Sequence, residues 1–179
     1  KEYKKPVRFE HLCVAFDLKK DAEVDGFRYR IKAMLRDGQL HQNRRGALAL
    51  VQQLKLLSGK VIGHRDGYGF VITDSPGPDV FLPERDMRCL FSDDRILVRI
   101  VKTKRGNRLE GRLVDVLERN TTKLVGVFRR DGAINVVQPD SKNIPQDVII
   151  PNESCNGAQH GQFVEVDIVT QPSRRHQPV

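Results

Sequence analysis

The feature that most constrains the fold is a repeat that links the middle of the chain to its C-terminal part. Arg65-Asp66-Gly67 recurs 65 residues later as Arg130-Asp131-Gly132, and residues 79–83 (DVFLP) recur 68 residues later as 147–151 (DVIIP). The alternating apolar segment 96–101 has a counterpart at 163–169. A repeat of this length is a small domain in its own right. The sequence therefore predicts two successive copies of one β domain.

The first copy contains five short strand-like runs, which suit a five-stranded OB-type barrel. They are residues 59–63, 68–73, 80–82, 95–102 and 109–117. In the fourth run Ile96, Val98 and Ile100 alternate with polar residues, as expected for a half-buried strand. The predicted fold class is mainly β, with a small α+β part at the N-terminus. The architecture is a winged helix-turn-helix-like domain followed by two tandem OB-fold β-barrels.

The N-terminal part has a helical pattern from residue 9 to about residue 37, and Phe9, Leu12, Cys13 and Phe16 recur at helical spacing in its first segment. In a second helix, apolar residues at 24, 27, 31, 34 and 35 share one face, and Asp37-Gly38 ends the helix. Residues 39–50 are typical of a short hairpin with a basic tip. The predicted domains are 1–52 (winged helix), 53–119 (first barrel) and 120–171 (second, degenerate barrel), with 172–179 as a linker towards a domain outside this chain.

Three aromatic side chains in the first copy suggest a binding surface. Tyr68 and Phe70 are two residues apart, so on a strand they face the same side, and Phe81 lies on the neighbouring strand. Aromatic rings displayed on a sheet can stack on unpaired bases, and we expect Gly69 to keep that surface flat. The alternative is that the rings form the barrel core. The repeat aligns Tyr68 with Ala133, Phe70 with Asn135 and Phe81 with Ile149, so the second copy lacks the aromatics.

The charge pattern favours a polyanionic partner near the N-terminal end. The net charge is +8, and residues 1–50 hold 12 Lys/Arg against 7 Asp/Glu, whereas residues 121–179 hold 6 of each. A second reading, a solvated surface, stays open for each group. The candidate RNA phosphate contacts are Lys60, His64, Arg65, Lys102, Lys104, Arg105 and Arg108. The candidate duplex or phosphate contacts are Arg28, Lys32, Arg36, Arg44 and Arg45.

Several function classes find no support in the sequence. Cys13, Cys89 and Cys155 are isolated, which predicts unpaired thiols in a reducing cytoplasm. No apolar run approaches the roughly 20 residues needed to cross a bilayer. No Walker, zinc or Ser-His-Asp pattern occurs, and surface or turn roles account for Asp93-Asp94. We expect no catalytic residue, metal site or cofactor within this chain.

The two aromatic segments, 66–71 (DGYGFV) and 79–83 (DVFLP), resemble the RNA-contacting motifs of cold-shock domains. They depart from a simple cold-shock protein, because Asp66 replaces a basic residue and the chain has no Trp. With 30–40 (RIKAMLRDGQL), 43–46 (NRRG) and 59–70, the whole arrangement resembles the N-terminal half of bacterial ribonuclease R, in the ribonuclease II family. There a helix-turn-helix-like region precedes two tandem cold-shock domains.

That resemblance implies the function of a longer protein. The family members are processive 3′→5′ exoribonucleases that use Mg²⁺ and release nucleoside monophosphates from a downstream catalytic domain. We therefore expect this chain to bind and guide single-stranded RNA, to reach structured RNA through its N-terminal region, and to be inactive alone. The alternatives are a stand-alone cold-shock-type RNA chaperone and a winged-helix DNA-binding regulator.

Overall fold

The computed structural model of the chain describes residues 5–104, 108–132, 134–174 and 176–179. For residues 102–104 and 108 it describes the backbone only. The N-terminal part combines two helices with a small sheet. Its elements are β1 (Val7–Arg8), α1 (Phe9–Ala15), α2 (Asp21–Arg36), β2 (Leu40–Gln42) and β3 (Ala47–Leu50), and the sheet order is β1-β3-β2. Both predicted helical segments and the predicted hairpin are confirmed.

Helix α2 is held by its apolar face. Ile31 packs with Leu40 and Leu48 of the small sheet, and Phe27 and Leu35 flank this cluster. The helix ends at Arg36 because Gly38 takes a left-handed conformation, with φ of 70°, that a side chain would disfavour. Within the described residues the part has two helices, α1 and α2, followed by the hairpin.

The middle of the chain forms a closed five-stranded barrel. Its elements are β4 (Leu56–Gly63), β5 (Gly69–Thr73), β6 (Val80–Leu82), α3 (Glu84–Met87), β7 (Arg95–Lys104) and β8 (Arg108–Glu118), in the order β4-β5-β6-β8-β7. Strands β6 and β8 are parallel and the other pairs are antiparallel. Val61, Val71, Val80, Ile96 and Val98 fill the interior, where the pleat directs every second side chain. All five predicted strands are confirmed.

The C-terminal part forms an antiparallel sheet instead of a second closed barrel. Its strands are β9 (Lys123–Asp131), β10 (Ile134–Pro139), β11 (Val148–Ile150) and β12 (Phe163–Asp167), in the order β11-β10-β9-β12. Four strands match β4 to β7 of the barrel, but within the described residues no strand corresponds to β8. Instead, Pro178 O accepts a hydrogen bond from Ile149 N, and Val179 exchanges hydrogen bonds with Thr170. Segment 172–179, which we predicted as a linker, is thus attached to this sheet.

One aromatic side chain joins the barrel to the C-terminal sheet. Phe91 lies between α3 and β7 of the barrel, yet it packs fully buried against Leu124, Phe128, Val137 and Val148 of the sheet. The barrel therefore supplies part of the core of the sheet, and the sheet has no complete core without it.

A buried ion pair ties down the same junction. Asp94 is 0% exposed, and its Oδ2 accepts hydrogen bonds from Phe91 N at 2.9 Å and from Arg119 at 2.8 Å. Arg119 also donates to Cys89 O and, across the junction, to Pro172 O. Burial raises the pKa of Asp94, while the hydrogen bonds and the Arg119 charge oppose this shift. The predicted turn role of Asp94 is confirmed, since its carboxylate accepts from Phe91 N three residues earlier, but a surface position is wrong, because Asp94 is fully buried.

We predict that Phe91→Ala destabilises the barrel and the C-terminal sheet together. Truncating a fully buried Phe leaves a cavity and costs about 3–5 kcal/mol of unfolding free energy. Urea unfolding followed by circular dichroism measures the loss. Phe16→Ala is the control, because Phe16 is 64% exposed. A loss below about 1 kcal/mol for Phe91→Ala would contradict the shared core.

Removing the partner of Asp94 should also be costly, and the cost should depend on pH. Arg119→Gln leaves a buried carboxylate without its cation, which costs about 3–5 kcal/mol near neutral pH. Loss of the cation raises the pKa of Asp94 further above its value in the unfolded chain, so stability falls as pH rises between the two values. The destabilisation should shrink from about pH 7 to about pH 5. Equal destabilisation at both would argue against a charged Asp94.

Candidate nucleic-acid interface

Three aromatic rings form one cluster on the outside of the barrel, called here the aromatic platform: Tyr68, Phe70 and Phe81. Phe70 and Phe81 are directly paired across β5 and β6, with ring centroids 5.9 Å apart. Tyr68 lies 5.8 Å from Phe70 and 5.6 Å from Phe81. Phe70 is 38% exposed, whereas its neighbour Val71 is fully buried. The rings are thus on the outer face, and the alternative that they form the barrel core is excluded.

Gly69 has a different role from the one predicted. It lies on the inner side of β5, where an added Cβ would sit 2.6 Å from Met87 Sδ and 2.8 Å from Ile62 O. Because neighbouring residues of a strand face opposite sides, Gly69 cannot flatten the surface that carries Tyr68 and Phe70. Its small size makes room for Met87 at the end of the barrel.

The aromatic platform is extended by an imidazole ring and by aliphatic side chains. The His64 ring stacks on Tyr68 with centroids 4.3 Å apart and planes 12° apart. Ile62, opposite Phe70 on β4, is 37% exposed, and Ile72 is 46% exposed. The sequence predicted His64 as a phosphate contact, and the stacking was missed. Strand alternation around Phe70 is the signal that identifies Ile62 and Ile72.

The predicted cations beside the aromatic platform carry acidic partners. Lys60 Nζ lies 2.6 Å from Asp93. The Asp66 carboxylate lies 3.7 Å from Arg65, and Asp66 N donates a hydrogen bond to His64 Nδ1 at 3.3 Å. All of these groups are at least partly exposed. These exposed pairs are weak and can exchange partners when a phosphate approaches. The predicted cations of the β7–β8 connection lie outside the described residues: Arg105 entirely, and Lys102, Lys104 and Arg108 in their side chains.

A basic groove lies between α2 and the hairpin of the N-terminal part. Arg28, Lys32 and Arg45 line it, together with Arg8, which the sequence prediction missed. The Arg28 guanidinium lies 4.8 Å from the centroid of the Phe9 ring, which fixes its position at the groove.

Two other predicted cations fall outside this groove. Arg36 is ion-paired with Asp37 at 3.1 Å and lines a neighbouring groove against β8. Arg44 is exposed at the hairpin tip. The groove thus brings together Arg28, Lys32 and Arg45, three of the five predicted cations.

The register of the strands corrects the predicted alignment of the repeat. Gly126 pairs with Pro139 as Gly59 pairs with Thr73, and Val136 pairs with Ile149 as Phe70 pairs with Phe81. Phe70 therefore corresponds to Val136, and Tyr68 to Ile134. The predicted alignment with Asn135 was wrong by one residue, because Arg130 and Asp131 still belong to β9, whereas Arg65 and Asp66 follow the end of β4. Ala133, the predicted equivalent of Tyr68, lies outside the described residues. The C-terminal sheet carries aliphatic side chains where the barrel carries the aromatic platform.

The described residues offer no metal centre. They contain no group of three or more His, Cys, Asp or Glu side chains placed to hold a metal ion. Cys13, Cys89 and Cys155 are free, and burial raises the pKa of the Cys89 thiol. No helix in the described part is long and apolar enough to cross a membrane.

Comparisons with known protein families match both β parts of the chain. The model described as "Ribonuclease B OB domain" matches residues 59–116, which covers most of the barrel. The model described as "Cold shock domain" matches residues 137–179, within the C-terminal part. The match to an OB domain agrees with the closed five-stranded barrel.

Similar sequences extend over nearly the whole chain. Ribonuclease R of Acidithiobacillus ferrooxidans is 37% identical over 176 residues, 97% of this chain and 40% of that protein. Ribonuclease R of Escherichia coli K12 is 35% identical over 175 residues, 98% of this chain and 22% of that protein. The chain therefore spans well under half the length of these relatives. The structure of yeast Ssd1, described as a pseudonuclease, superposes with a TM-score of 0.58 at 15% sequence identity. The match covers 72% of this chain and 22% of the Ssd1 chain, which shows a shared fold.

Proposed function

We propose, on the premise that the chain matches the N-terminal region of bacterial ribonuclease R, that it binds single-stranded RNA and guides it into an exoribonuclease. The parent enzyme would degrade RNA processively from the 3′ end to nucleoside monophosphates. Hydrolysis would take place elsewhere in the parent polypeptide, where Mg²⁺ would be bound. The isolated thiols agree with the cytoplasm as the place of action.

The aromatic platform is the observation that carries this proposal. A closed barrel with a complete aliphatic core has no structural need for three aromatic rings within 6 Å of one another on its outer face. Partly exposed rings keep apolar surface in contact with water until another flat apolar group covers them. An unpaired base provides such a group, and sequence matters little because every base has a π-face.

The C-terminal sheet supports a division of labour between the two β parts. Ile134, Val136 and Ile149 occupy the positions of the aromatic platform but offer no rings for stacking. The shared core at Phe91 holds this sheet against the barrel. In the proposed mechanism the aromatic platform of the barrel stacks on the bases, and the C-terminal sheet lies beside the RNA strand without stacking on it.

The platform hypothesis predicts a specific loss of RNA affinity. Tyr68→Ala/Phe70→Ala should weaken single-stranded RNA binding at least about ten-fold, since stacking contributes about 1–3 kcal/mol per base. The measurement is fluorescence anisotropy with a labelled RNA at two salt concentrations. Because stacking releases no counterions, the loss should persist at the higher concentration.

Ile134→Ala/Val136→Ala is the matched control, since it truncates the equivalent positions on β10. It should leave RNA affinity within about two-fold of the original chain, because aliphatic groups contribute little stacking. Thermal unfolding verifies that both variants fold. If the two double variants bind RNA equally well, bases do not stack on the aromatic platform.

We further propose that the N-terminal part is winged helix-turn-helix-like and contacts duplex RNA at the entrance. Helix α2 and the hairpin flank a groove that presents Arg8, Arg28, Lys32 and Arg45. Clustered guanidinium and ammonium groups on one surface suit phosphates at two neighbouring backbone positions. In this arrangement the groove would hold a duplex while its single-stranded end reaches the barrel.

This second proposal predicts a difference between two arginines of the same helix. Arg28→Gln should weaken binding of an RNA hairpin with a single-stranded tail by about three- to ten-fold, because a groove cation is lost. Arg36→Gln should have a smaller effect, since Arg36 lines a different groove, against β8. Anisotropy with the tailed hairpin and with the tail alone measures both. Equal losses for the two variants would speak against the groove.

A further inference from the structure

An excess of guanidinium groups surrounds one buried carboxylate next to the aromatic platform. Asp86 of α3 has a side chain that is 5% exposed, and its Oδ2 lies 3.8 Å from Arg85 Nε and 3.8 Å from Arg112 Nη1 of β8. Arg174, from the C-terminal segment, adds a third positive charge near Asp86 and Cys89. The name arginine cluster is used below for Arg85, Arg112 and Arg174.

The contacts of Asp86 leave hydrogen-bonding capacity unused. Among the described residues, neither Asp86 Oδ2 nor Arg112 Nε has a hydrogen-bond partner, although both atoms are buried. The neighbouring Arg88, by contrast, is paired with Glu84 at 2.6 Å, a full charge-assisted hydrogen bond. Buried polar atoms are normally satisfied, so unpaired ones require an explanation. Burial raises the pKa of Asp86, and Arg85 and Arg174 oppose this shift.

The position of the cluster connects it with the aromatic platform. Phe81 of β6 is paired with Glu110 of β8, and Arg112 follows Glu110 by two residues on the same outer face. Arg174 lines a cleft between the barrel and the C-terminal segment, and Gly67, directly before Tyr68, lines the same cleft. The sugar-phosphate backbone of an RNA strand whose bases stack on the aromatic platform would therefore lie close to these arginines.

We propose that the arginine cluster binds a backbone phosphate of the RNA strand that stacks on the aromatic platform. This inference rests on the proposed function and adds its phosphate subsite. Guanidinium groups bind phosphate oxygens in a two-pronged geometry, and the side chains of Arg85 and Arg112 are 55% and 39% exposed, so a phosphate can reach them. The three guanidinium groups carry three positive charges, and the single Asp86 carboxylate neutralises only one of them. Asp86 is then an internal anion that competes with the phosphate for the arginines.

The test removes Asp86 first, so that no unpaired buried carboxylate complicates the arginine variants. Asp86→Asn should bind single-stranded RNA as tightly as the original chain or about three-fold more tightly, because a competing negative charge is gone. Relative to this variant, Asp86→Asn/Arg112→Gln should bind about ten-fold more weakly. The slope of log affinity against log salt should fall by about 0.7, the value for one phosphate contact on a single strand.

Asp86→Asn/Arg30→Gln is the matched control, since it removes an exposed arginine of α2 that lines neither the basic groove nor the cleft at Arg174. If the Arg112 and Arg30 double variants bind RNA equally, the arginines only neutralise Asp86 and the phosphate subsite is overturned. A weaker Asp86→Asn variant would overturn it as well, because a competing anion cannot support binding.

A ribose-phosphate oligomer without bases distinguishes this inference from the platform. Arg112→Gln on the Asp86→Asn background should weaken binding of this oligomer, whereas Tyr68→Ala/Phe70→Ala should not, since no base is present to stack. If the aromatic variant loses RNA affinity but the arginine variant does not, only the phosphate subsite fails. If neither variant loses RNA affinity, the proposed function fails too.

Discussion

The interaction on which the rest of the structure depends is the buried contact of Asp94 with Arg119. Asp94 accepts hydrogen bonds from Arg119 and from Phe91 N, and this fixes the segment that carries Phe91 into the core of the C-terminal sheet. Arg119 also reaches Pro172, the start of the segment that brings Arg174 to the barrel. One buried carboxylate thus holds together the barrel, the sheet and the cleft between them.

The alternation of side chains along each strand produces both the core and the candidate interface. On β5, Val71 faces inward while Phe70 faces outward, and β6 repeats the pattern with Val80 inward and Phe81 outward. The barrel interior is closed by aliphatic residues, so the rings are available for a partner. The same pleat on the C-terminal sheet places Val136 beside Ile149, so the equivalent positions there carry aliphatic side chains and no aromatic rings.

Much of the fold follows from local patterns, and the differences arise where distant segments meet. The five barrel strands, both N-terminal helices and the hairpin lie where apolar periodicity predicted them, because that periodicity reflects one buried face per element. The repeat alignment failed by one residue at Asn135, since the Arg-Asp-Gly motif follows β4 in the barrel but begins within β9 in the C-terminal sheet. The surface or turn role predicted for Asp94 missed its burial, because no local pattern reveals that Arg119 neutralises it in the interior.

The sequence by itself determined the chain's class, its repeated β domain and the strand positions of Tyr68, Phe70 and Phe81, since each depends on spacing within one element. The tertiary structure alone decided that those rings lie outside the barrel and that Gly69 serves the interior. It also decided that arginines from α3, β8 and the C-terminal segment meet at Asp86. The physical reason is that burial and charge balance are properties of neighbours in space, which residues far apart in the chain provide.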